Sequence, residues 1–272
     1  MQSYVINLDR SPERLEYFGQ QAESAGLQFE RIAAYDGKLL SQEEIDAIRS
    51  VPFQFQPIDL GNIGLLKSHQ LAWQRLLDSN QPYAAVFEDD VILSPQITQA
   101  LQSIDTQQPT FDLAKLETTL RKVAMSREPL QASSKHALHR LHSWHGGTAG
   151  YVVSAQGAEK LLSRKDQTSD IIDLVMFHPF SRIASGLNIQ QLVPAACIQS
   201  QFVADQENPF FESTLGKPTV GDRFLRYGVR VDSRRFVRRQ FESLRRRYLA
   251  GRSENMQQVV PFSSRDSVRR AA

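Results

Sequence analysis

The sequence predicts an α/β fold in which strands and helices alternate around a largely parallel sheet. The first observation is the order of patterns at the N-terminus: an apolar run at residues 4–8, a helical stripe after Ser11-Pro12, and a second strand at residues 27–32. The second is the continuous apolar run at residues 83–87, which is typical of a central strand. The third is size, because 272 residues with 41% hydrophobic content suffice for one large α/β domain or two small ones.

The remaining segments extend this alternation. Gly26 ends the first helix, and Ser41 with Glu44 forms a capping-box pattern that opens a short helix, which Pro52 terminates. We expect a longer helix over residues 65–79. Further patterns predict a strand at 111–116, a basic loop over 121–140, a strand at 151–153, a helix over 154–162 and a strand at 192–198.

The charge of the chain is unevenly distributed. Residues 221–272 contain 14 arginines, no lysine and 5 acidic residues, so this segment carries +9 although the whole chain carries only +2. We therefore divide the chain into a catalytic domain at residues 1–220 and an Arg-rich tail at residues 221–272. An acidic body with an arginine-rich tail suggests an anionic partner for the tail.

The tail has the pattern of a basic amphipathic helix. Val237, Phe241, Leu244 and Tyr248 follow helical spacing, with arginines interleaved. Such a helix favours binding to an anionic membrane surface. Packing against the body and a nucleic-acid-binding arm are the alternatives, and nucleic acid is the less favoured partner. We expect the last ~15 residues to be disordered.

Composition also bears on the compartment. Cys197 is the single cysteine, so an intramolecular disulfide and a zinc–thiolate cluster are excluded. The sequence contains neither a run of about 18 apolar residues nor the features of a secretory signal. We expect a cytoplasmic protein, with a peripheral position on the cytoplasmic face of the membrane as an extension of that expectation.

Three adjacent acids, Glu88, Asp89 and Asp90, follow the apolar strand at residues 83–87. Ligands bind at the carboxyl ends of strands in open α/β sheets. Neighbouring carboxylates repel one another, and a hard divalent ion with phosphate oxygens as further ligands would relieve that repulsion. The cluster by itself fits a solvated acidic turn that caps the next helix equally well.

Five segments, in order, resemble glycosyltransferase family 25, which comprises lipopolysaccharide-biosynthesis galactosyltransferases and collagen galactosyltransferase relatives. They are residues 5–14 (VINLDRSPER), 29–37 (FERIAAYDG), 61–69 (GNIGLLKSH), 87–91 (FEDDV) and 147–154 (GTAGYVVS), the last followed by Gly157-Ala158 and Leu161-Leu162. The resemblance covers roughly residues 3–200. The family tends to carry an Asp after a proline in the region that reads DIIDLVM here at residues 170–176, and this chain lacks that proline.

The resemblance implies a GT-A-like fold, which is a Rossmann-type mixed sheet flanked by helices, here with the C-terminal basic helical extension. It also implies a UDP-sugar donor, a divalent cation such as Mn²⁺, and inversion at the anomeric carbon. The expected reaction moves a hexose, with galactose the first choice, to a glycan or glycolipid acceptor such as lipopolysaccharide. The competing hypotheses are another metal-dependent nucleotide-sugar or nucleotidyl enzyme, and a catalytically inactive homologue or binding module that acts through its basic tail.

Candidate roles follow from the same resemblance. Asp90 is the first candidate for metal contact with Glu88 beside it, and Asp89 is a candidate ribose contact. An inverting transferase needs a general base, for which we select Asp173 with Asp170 as the alternative. The other predicted donor-binding residues are Asn7, Leu8, Arg10, Arg14, Asp36, Ser68, His69 and Lys115.

Several of these residues also have plain structural interpretations. Arg10 and Arg14 fit bidentate pairing with a diphosphate, but they also fit an ordinary first helical turn. His69 fits a buried histidine as well as a ligand contact. Glu117 is a further candidate contact for the donor sugar, and Trp144 is a candidate for stacking on a sugar face.

Overall fold

The structure is a computed structural model that describes residues 1–107, 110–164, 169–203 and 251–264, together with Leu244 and Tyr248. Its strands are β1 (Gln2–Asn7), β2 (Glu30–Ala33), β3 (Tyr83–Glu88), β4 (Val91–Leu93), β5 (Leu113–Lys115), β6 (Glu117–Thr118), β7 (Lys122–Ser126), β8 (Gln131–Ala132), β9 (Ala137–Arg140), β10 (Gly150–Ser154), β11 (Ile189–Val193), β12 (Cys197–Gln199) and β13 (Asn255–Val259). Its helices are α1 (Pro12–Ser24), α2 (Gln42–Ser50), α3 (Leu60–Asp78), α4 (Ile97–Gln107), α5 (Ala155–Leu162) and α6 (Ile172–Phe177).

Within the described ranges, eight strands form one mixed sheet in the order β2-β1-β3-β10-β5-β11-β9-β8. Strand β1 pairs in parallel with both β2 and β3, which confirms the βαβ start. Strand β10 runs antiparallel between β3 and β5. A smaller sheet has the order β4-β12-β6, and β13 pairs with β7. The α/β class and the mixed sheet flanked by helices are confirmed.

Helices cover both faces of the large sheet because side chains alternate between faces along each strand. On one face, Trp73 of α3 belongs to the same buried cluster as Val86 and Tyr151. On the other face, Phe18 of α1 packs against Phe87 with ring centroids 5.8 Å apart. The strands are therefore apolar on both sides, as the continuous run at residues 83–87 predicts.

Local signals explain most helix starts. The capping box of α2 is confirmed, since Ser41 Oγ accepts from the Glu44 amide at 3.2 Å and Glu44 Oε2 accepts from the Ser41 amide at 3.0 Å. Helix α3 starts at Leu60, five residues earlier than predicted, because Asp59 caps it by accepting from the Asn62 amide at 2.8 Å.

Two predictions from the middle of the chain are wrong. Residues 121–140 are not a loop but contain β7, β8 and β9, because Val123 and Met125 are buried although the segment is basic. The strand predicted at 192–198 is split into β11 and β12, with Pro194 between them unable to donate a hydrogen bond to a ladder.

The described part of the predicted tail also differs from expectation. Residues 251–264 contain β13 rather than a helix or a disordered end, and β13 lies antiparallel to β7. Val260 is fully buried, and its carbonyl accepts from Thr118 Oγ1 at 2.7 Å. This segment therefore belongs to the folded body. The boundary predicted at residue 220 and most of the arginines lie outside the described residues.

Among the described residues, no helix has both the length and the hydropathy that a membrane span requires.

Candidate active site

Most of the predicted site residues lie along one edge of the large sheet, where strands end. It holds the carboxyl ends of the parallel strands β1, β3 and β5. Strand β10 runs the other way, so its first residue, Gly150, lies opposite Phe87 at the end of β3. The loop before β10 therefore reaches the same edge, which is where α/β sheets bind ligands.

Asn7, Asp89 and Arg14 form a buried group at the β1 side of this edge. Asn7 Nδ2 donates to Asp89 Oδ2 at 2.7 Å, and Arg14 NH1 lies 3.4 Å from Asp89 Oδ1. Burial raises the pKa of Asp89, while the hydrogen bond from Asn7 and the charge of Arg14 oppose that rise. Both carboxylate oxygens of Asp89 are thus engaged by protein groups.

Glu88 and Asp90 lie two residues apart on either side of Asp89. Burial raises the pKa of Glu88 to about 7, with a smaller contribution from the charge of Asp89. Burial also raises the pKa of Asp90 to about 7, with the charges of Glu88 and Asp89 adding to the effect. Thr148 Oγ1 donates to Glu88 Oε1 at 2.7 Å, and Gln199 Nε2 lies 3.5 Å from Asp90 Oδ1. Negative charge in this pair is therefore poorly compensated by protein cations.

These two carboxylates fit a hard divalent cation that takes its other ligands from phosphate oxygens and water. In the described part of the chain, no three His, Cys, Asp or Glu side chains form a group that could hold a metal ion alone. A cation at this position would therefore depend on the substrate for part of its coordination, as is common for ions that bind nucleotide phosphates.

Lys115, Glu117 and Gly147 form a second buried group, at the end of β5. Lys115 Nζ donates to Glu117 Oε1 at 2.6 Å and also to the Gly147 carbonyl, and both charged side chains are fully buried. Burial raises the pKa of Glu117 to about 7, against the lowering effect of Lys115. Among the residues that the structure describes, none forms a hydrogen bond with Glu117 Oε2.

Gly147 is required by this geometry. Its φ of +88° lies in the left-handed region, and a Cβ there would stand 2.6 Å from Glu117 Oε2. The glycine lets the loop before β10 close directly over the Lys115–Glu117 pair.

The two candidate bases have different surroundings. Asp173, in the first turn of α6, is partly exposed, and its Oδ2 accepts from the Gly147 amide at 3.3 Å. Asp170 is fully buried, and its carboxylate accepts from the backbone amides of residues 54, 55 and 56 at 2.6–2.8 Å. The structure therefore brings Asp173 to the site edge and uses Asp170 to hold a loop.

The profile of glycosyltransferase family 25 (LPS biosynthesis protein) matches residues 1–176. The chain belongs to glycosyltransferase family 25. It is similar to the lacto-N-neotetraose biosynthesis glycosyltransferases LgtE and LgtB of Neisseria gonorrhoeae. The LgtE match is 28% identical and covers 85% of this chain and 86% of LgtE, and the LgtB match is 30% identical and covers 83% of each chain.

Among solved structures, a galactosyltransferase LgtC complexed with donor and acceptor sugar analogs covers 70% of this chain and 73% of its own. The TM-score of this match is 0.38 and the sequence identity is 12%.

In this family 25 transferase, His69 stands behind the acidic cluster rather than at the open edge. It is fully buried, its Nδ1 lies 2.9 Å from the Tyr151 hydroxyl, and that hydroxyl accepts from Trp73 Nε1 at 2.8 Å. Burial lowers the pKa of His69 to about 3, so the ring is neutral. The His69 Nε2 atom lies 3.6 Å from Glu88 Oε1, so this histidine contacts the cluster from inside the protein.

The other predicted donor contacts lie around the loop after β2. Arg10 Nε donates to Asp36 Oδ2 at 2.7 Å. Leu8, which lies two residues before Arg10 in the sequence, is partly exposed. The amide of Lys38 and the Arg10 guanidinium lower the pKa of Asp36. Ser68 is buried and donates to the Gly64 carbonyl at 2.7 Å.

Gly64 of the 61–69 segment serves backbone packing. A Cβ on Gly64 would lie 2.4 Å from the Tyr35 carbonyl, so only glycine lets this loop rest on α3. Ser68 Oγ then accepts from the Tyr35 amide at 2.9 Å, which fixes the loop.

Three further residues contact the candidate site and are not predicted from the sequence. Arg31 Nε donates to Asn7 Oδ1 at 3.0 Å and thereby orients the Asn7 amide toward Asp89. Thr148 donates to Glu88, as described above. Gln191 contacts His145 Nδ1 at 2.7 Å and donates to the Lys115 and Glu117 carbonyls at 3.2 Å. Arg31 and Thr148 lie within the family-like segments, whereas nothing near Gln191 signals its role.

Proposed function

We propose that this family 25 glycosyltransferase moves a hexose, with galactose the first choice, from a UDP-sugar to a glycan acceptor. The reaction would depend on a divalent cation such as Mn²⁺ and would invert the anomeric centre. The observation that carries this proposal is the division of the acidic cluster. Asp89 is engaged by Asn7 and Arg14, whereas Glu88 and Asp90 remain poorly compensated at the same strand end.

Each part of the edge then has a chemical task. Asn7, Asp89 and Arg14 lie where the nucleoside part of the donor would bind, with the Arg10–Asp36 pair at the rim. Glu88 and Asp90 would hold the cation, which would neutralise charge on the diphosphate as it leaves. Lys115 and Glu117 lie under the loop before β10 and would position the donor sugar.

Asp173 is the proposed general base. It would accept the proton of the acceptor hydroxyl while that oxygen bonds to the anomeric carbon and the bond to the UDP oxygen breaks. Its exposure and its place beside Gly147 support this role. Asp170 fits the role less well because three backbone amides surround its carboxylate.

Two relatives bear on the acceptor. Both LgtE and LgtB of Neisseria gonorrhoeae are named for the biosynthesis of lacto-N-neotetraose, an oligosaccharide. For this chain we propose a cell-surface glycan or glycolipid acceptor, which fits the description of the family as lipopolysaccharide biosynthesis proteins.

A screen of UDP-sugars tests the donor. We expect Mn²⁺-stimulated hydrolysis or transfer with UDP-galactose in the wild-type protein, and loss of that activity in Asp90→Asn. Asp46→Asn is the matched control, because Asp46 is an exposed aspartate on α2. Full metal-stimulated activity in Asp90→Asn would remove Asp90 from the metal site. Absence of UDP binding by calorimetry with Mn²⁺ would favour the inactive-homologue alternative.

We also propose a cytoplasmic protein that binds the membrane peripherally through its tail. Leu244 and Tyr248, two members of the predicted apolar face, are 59% and 68% exposed. Co-sedimentation with anionic liposomes should fall when Arg238, Arg239 and Arg245 are replaced by Gln. Equal binding by the wild type and this variant would contradict the membrane role.

A further inference from the structure

An aromatic cluster lies beside the proposed base, and of its members only Trp144 has been considered above, as a candidate for stacking on a sugar face. His178 is fully buried at its centre, with ring centroids 4.5 Å from Phe55, 5.9 Å from Trp144 and 5.8 Å from Phe180. The outer members reach solvent, since Phe180 is 44% exposed and both Phe55 and Trp144 are partly exposed. Large aromatic rings exposed together commonly mark a binding surface.

The cluster is held in a defined shape. Asp170 fixes the loop that carries Phe55 through three backbone hydrogen bonds at 2.6–2.8 Å. Gln54 joins this loop to the one after α6, because its side chain donates to the Phe180 carbonyl and accepts from the Arg182 amide at 3.0 Å. The rings are therefore positioned before any ligand arrives, which lowers the entropic cost of binding.

The cluster also borders the reacting centre. A Cβ placed on Gly146 would lie 3.1 Å from Trp144 Cζ2 and 3.3 Å from Asp173 Oδ2. The indole and the candidate base thus flank the same glycine. The group around Asn7 and Arg14 lies at β1 instead, with β3 and β10 between β1 and β5 in the sheet. A ligand on the aromatic cluster would lie next to Asp173, whose Oδ2 accepts from the Gly147 amide at 3.3 Å.

We propose that Phe180, Phe55 and Trp144 form the acceptor subsite and bind the terminal sugar ring of the acceptor glycan as a neutral hexopyranose. One face of such a ring presents C–H groups, which pack on aromatic faces by dispersion and by attraction to the negative π-face. The hydroxyls at the ring edge remain free to reach the Asp173 carboxylate. This inference rests on the proposed transferase activity and adds the acceptor class and the residues that recognise it.

Saturation-transfer NMR of the full chain with methyl β-galactoside, methyl β-glucoside and lactose tests the subsite without requiring turnover. The wild type should bind at least one of these sugars. Phe180→Leu should weaken that binding by about two- to tenfold, since one aromatic contact contributes roughly 0.5–1.5 kcal/mol. Phe180→Tyr keeps the flat ring and should bind as the wild type does. Leu130→Ala, which truncates a 56% exposed apolar side chain just before β8, is the control.

Two results would overturn the subsite: no binding of any of the three sugars, or equal binding by wild type and Phe180→Leu. Calorimetry with UDP and Mn²⁺ on the same samples separates this inference from the proposed activity. UDP binding that persists in Phe180→Leu while sugar binding falls supports the subsite. Absence of UDP binding in the wild type would count against the transferase proposal itself.

Discussion

The replacement of Asp90 by asparagine tests the electrostatics of the acidic cluster directly. Asparagine has nearly the same shape and can still accept from Gln199 Nε2, which lies 3.5 Å from Asp90 Oδ1. The substitution therefore removes one negative charge and leaves the packing unchanged. Without a cation, that charge is repelled by Glu88 and Asp89 and is poorly solvated, so its removal should stabilise the protein.

The size and sign of the effect follow from the pKa of Asp90, which rises from 3.8 to about 7 in the folded protein. Between these values the folded state binds more protons than the unfolded state, so stability falls as the pH rises through this window. At roughly 1.4 kcal/mol per pH unit, the upper bound is ~4 kcal/mol. The side chain is partly exposed, and solvent screening reduces our expectation to about 2 kcal/mol.

Urea unfolding at pH 4 and pH 8 in EDTA measures this difference. Asp90→Asn should be about 2 kcal/mol more stable than wild type at pH 8 and nearly equal at pH 4. Mn²⁺ should then stabilise the wild type, by about 2.7 kcal/mol at 100 times the Kd, and should have little effect on the variant. Asp46→Asn should match the wild type throughout. The reasoning fails if Asp90→Asn gains no stability at pH 8, or if Mn²⁺ stabilises both proteins equally.

Further outcomes are expected elsewhere in the molecule. Gly147→Ala should lower kcat at least tenfold and lower the free energy of unfolding by about 1–3 kcal/mol. The reason is that the added Cβ would lie 2.6 Å from Glu117 Oε2 at a residue with a left-handed backbone conformation. Donor hydrolysis measures the first effect and thermal unfolding the second. Asp170→Asn should cost about 2–3 kcal/mol in urea unfolding, because its amide group would face backbone N–H donors, and an unchanged stability would contradict that anchoring role. Truncation after residue 220 should destabilise the body because it removes β13 and the buried Val260, so a soluble fragment with wild-type Tm would refute this packing.

Local patterns were sufficient to predict much of the fold. The capping box of α2, the apolar stripe of α1 and the continuous apolar run of β3 each determine their elements through contacts within a few residues. The charges of the basic segment at 121–140 indicate a loop, although Val123, Ala124 and Met125 of β7 are all buried and β7 pairs with the remote strand β13. Nothing local reveals a partner more than 120 residues away.

The candidate site is likewise only partly predictable from the sequence. The position of Glu88-Asp89-Asp90 at a strand end follows from sequence, because the apolar run fixes where the strand stops. The difference between Asp89 and its two neighbours does not, since it depends on Asn7 and Arg14 arriving from β1 and α1. Likewise, the choice of Asp173 over Asp170 depends on which carboxylate the loop at residues 54–56 covers.

The sequence by itself determined the alternation of strands and helices, the family and the acidic cluster, because these depend on hydrophobic periodicity and on residues adjacent in the chain. The tertiary structure alone decided how the cluster divides, where Lys115 and Glu117 meet Gly147, and that residues 251–264 join the body. The physical reason is that charge compensation and burial are set by groups that folding brings together from distant parts of the chain.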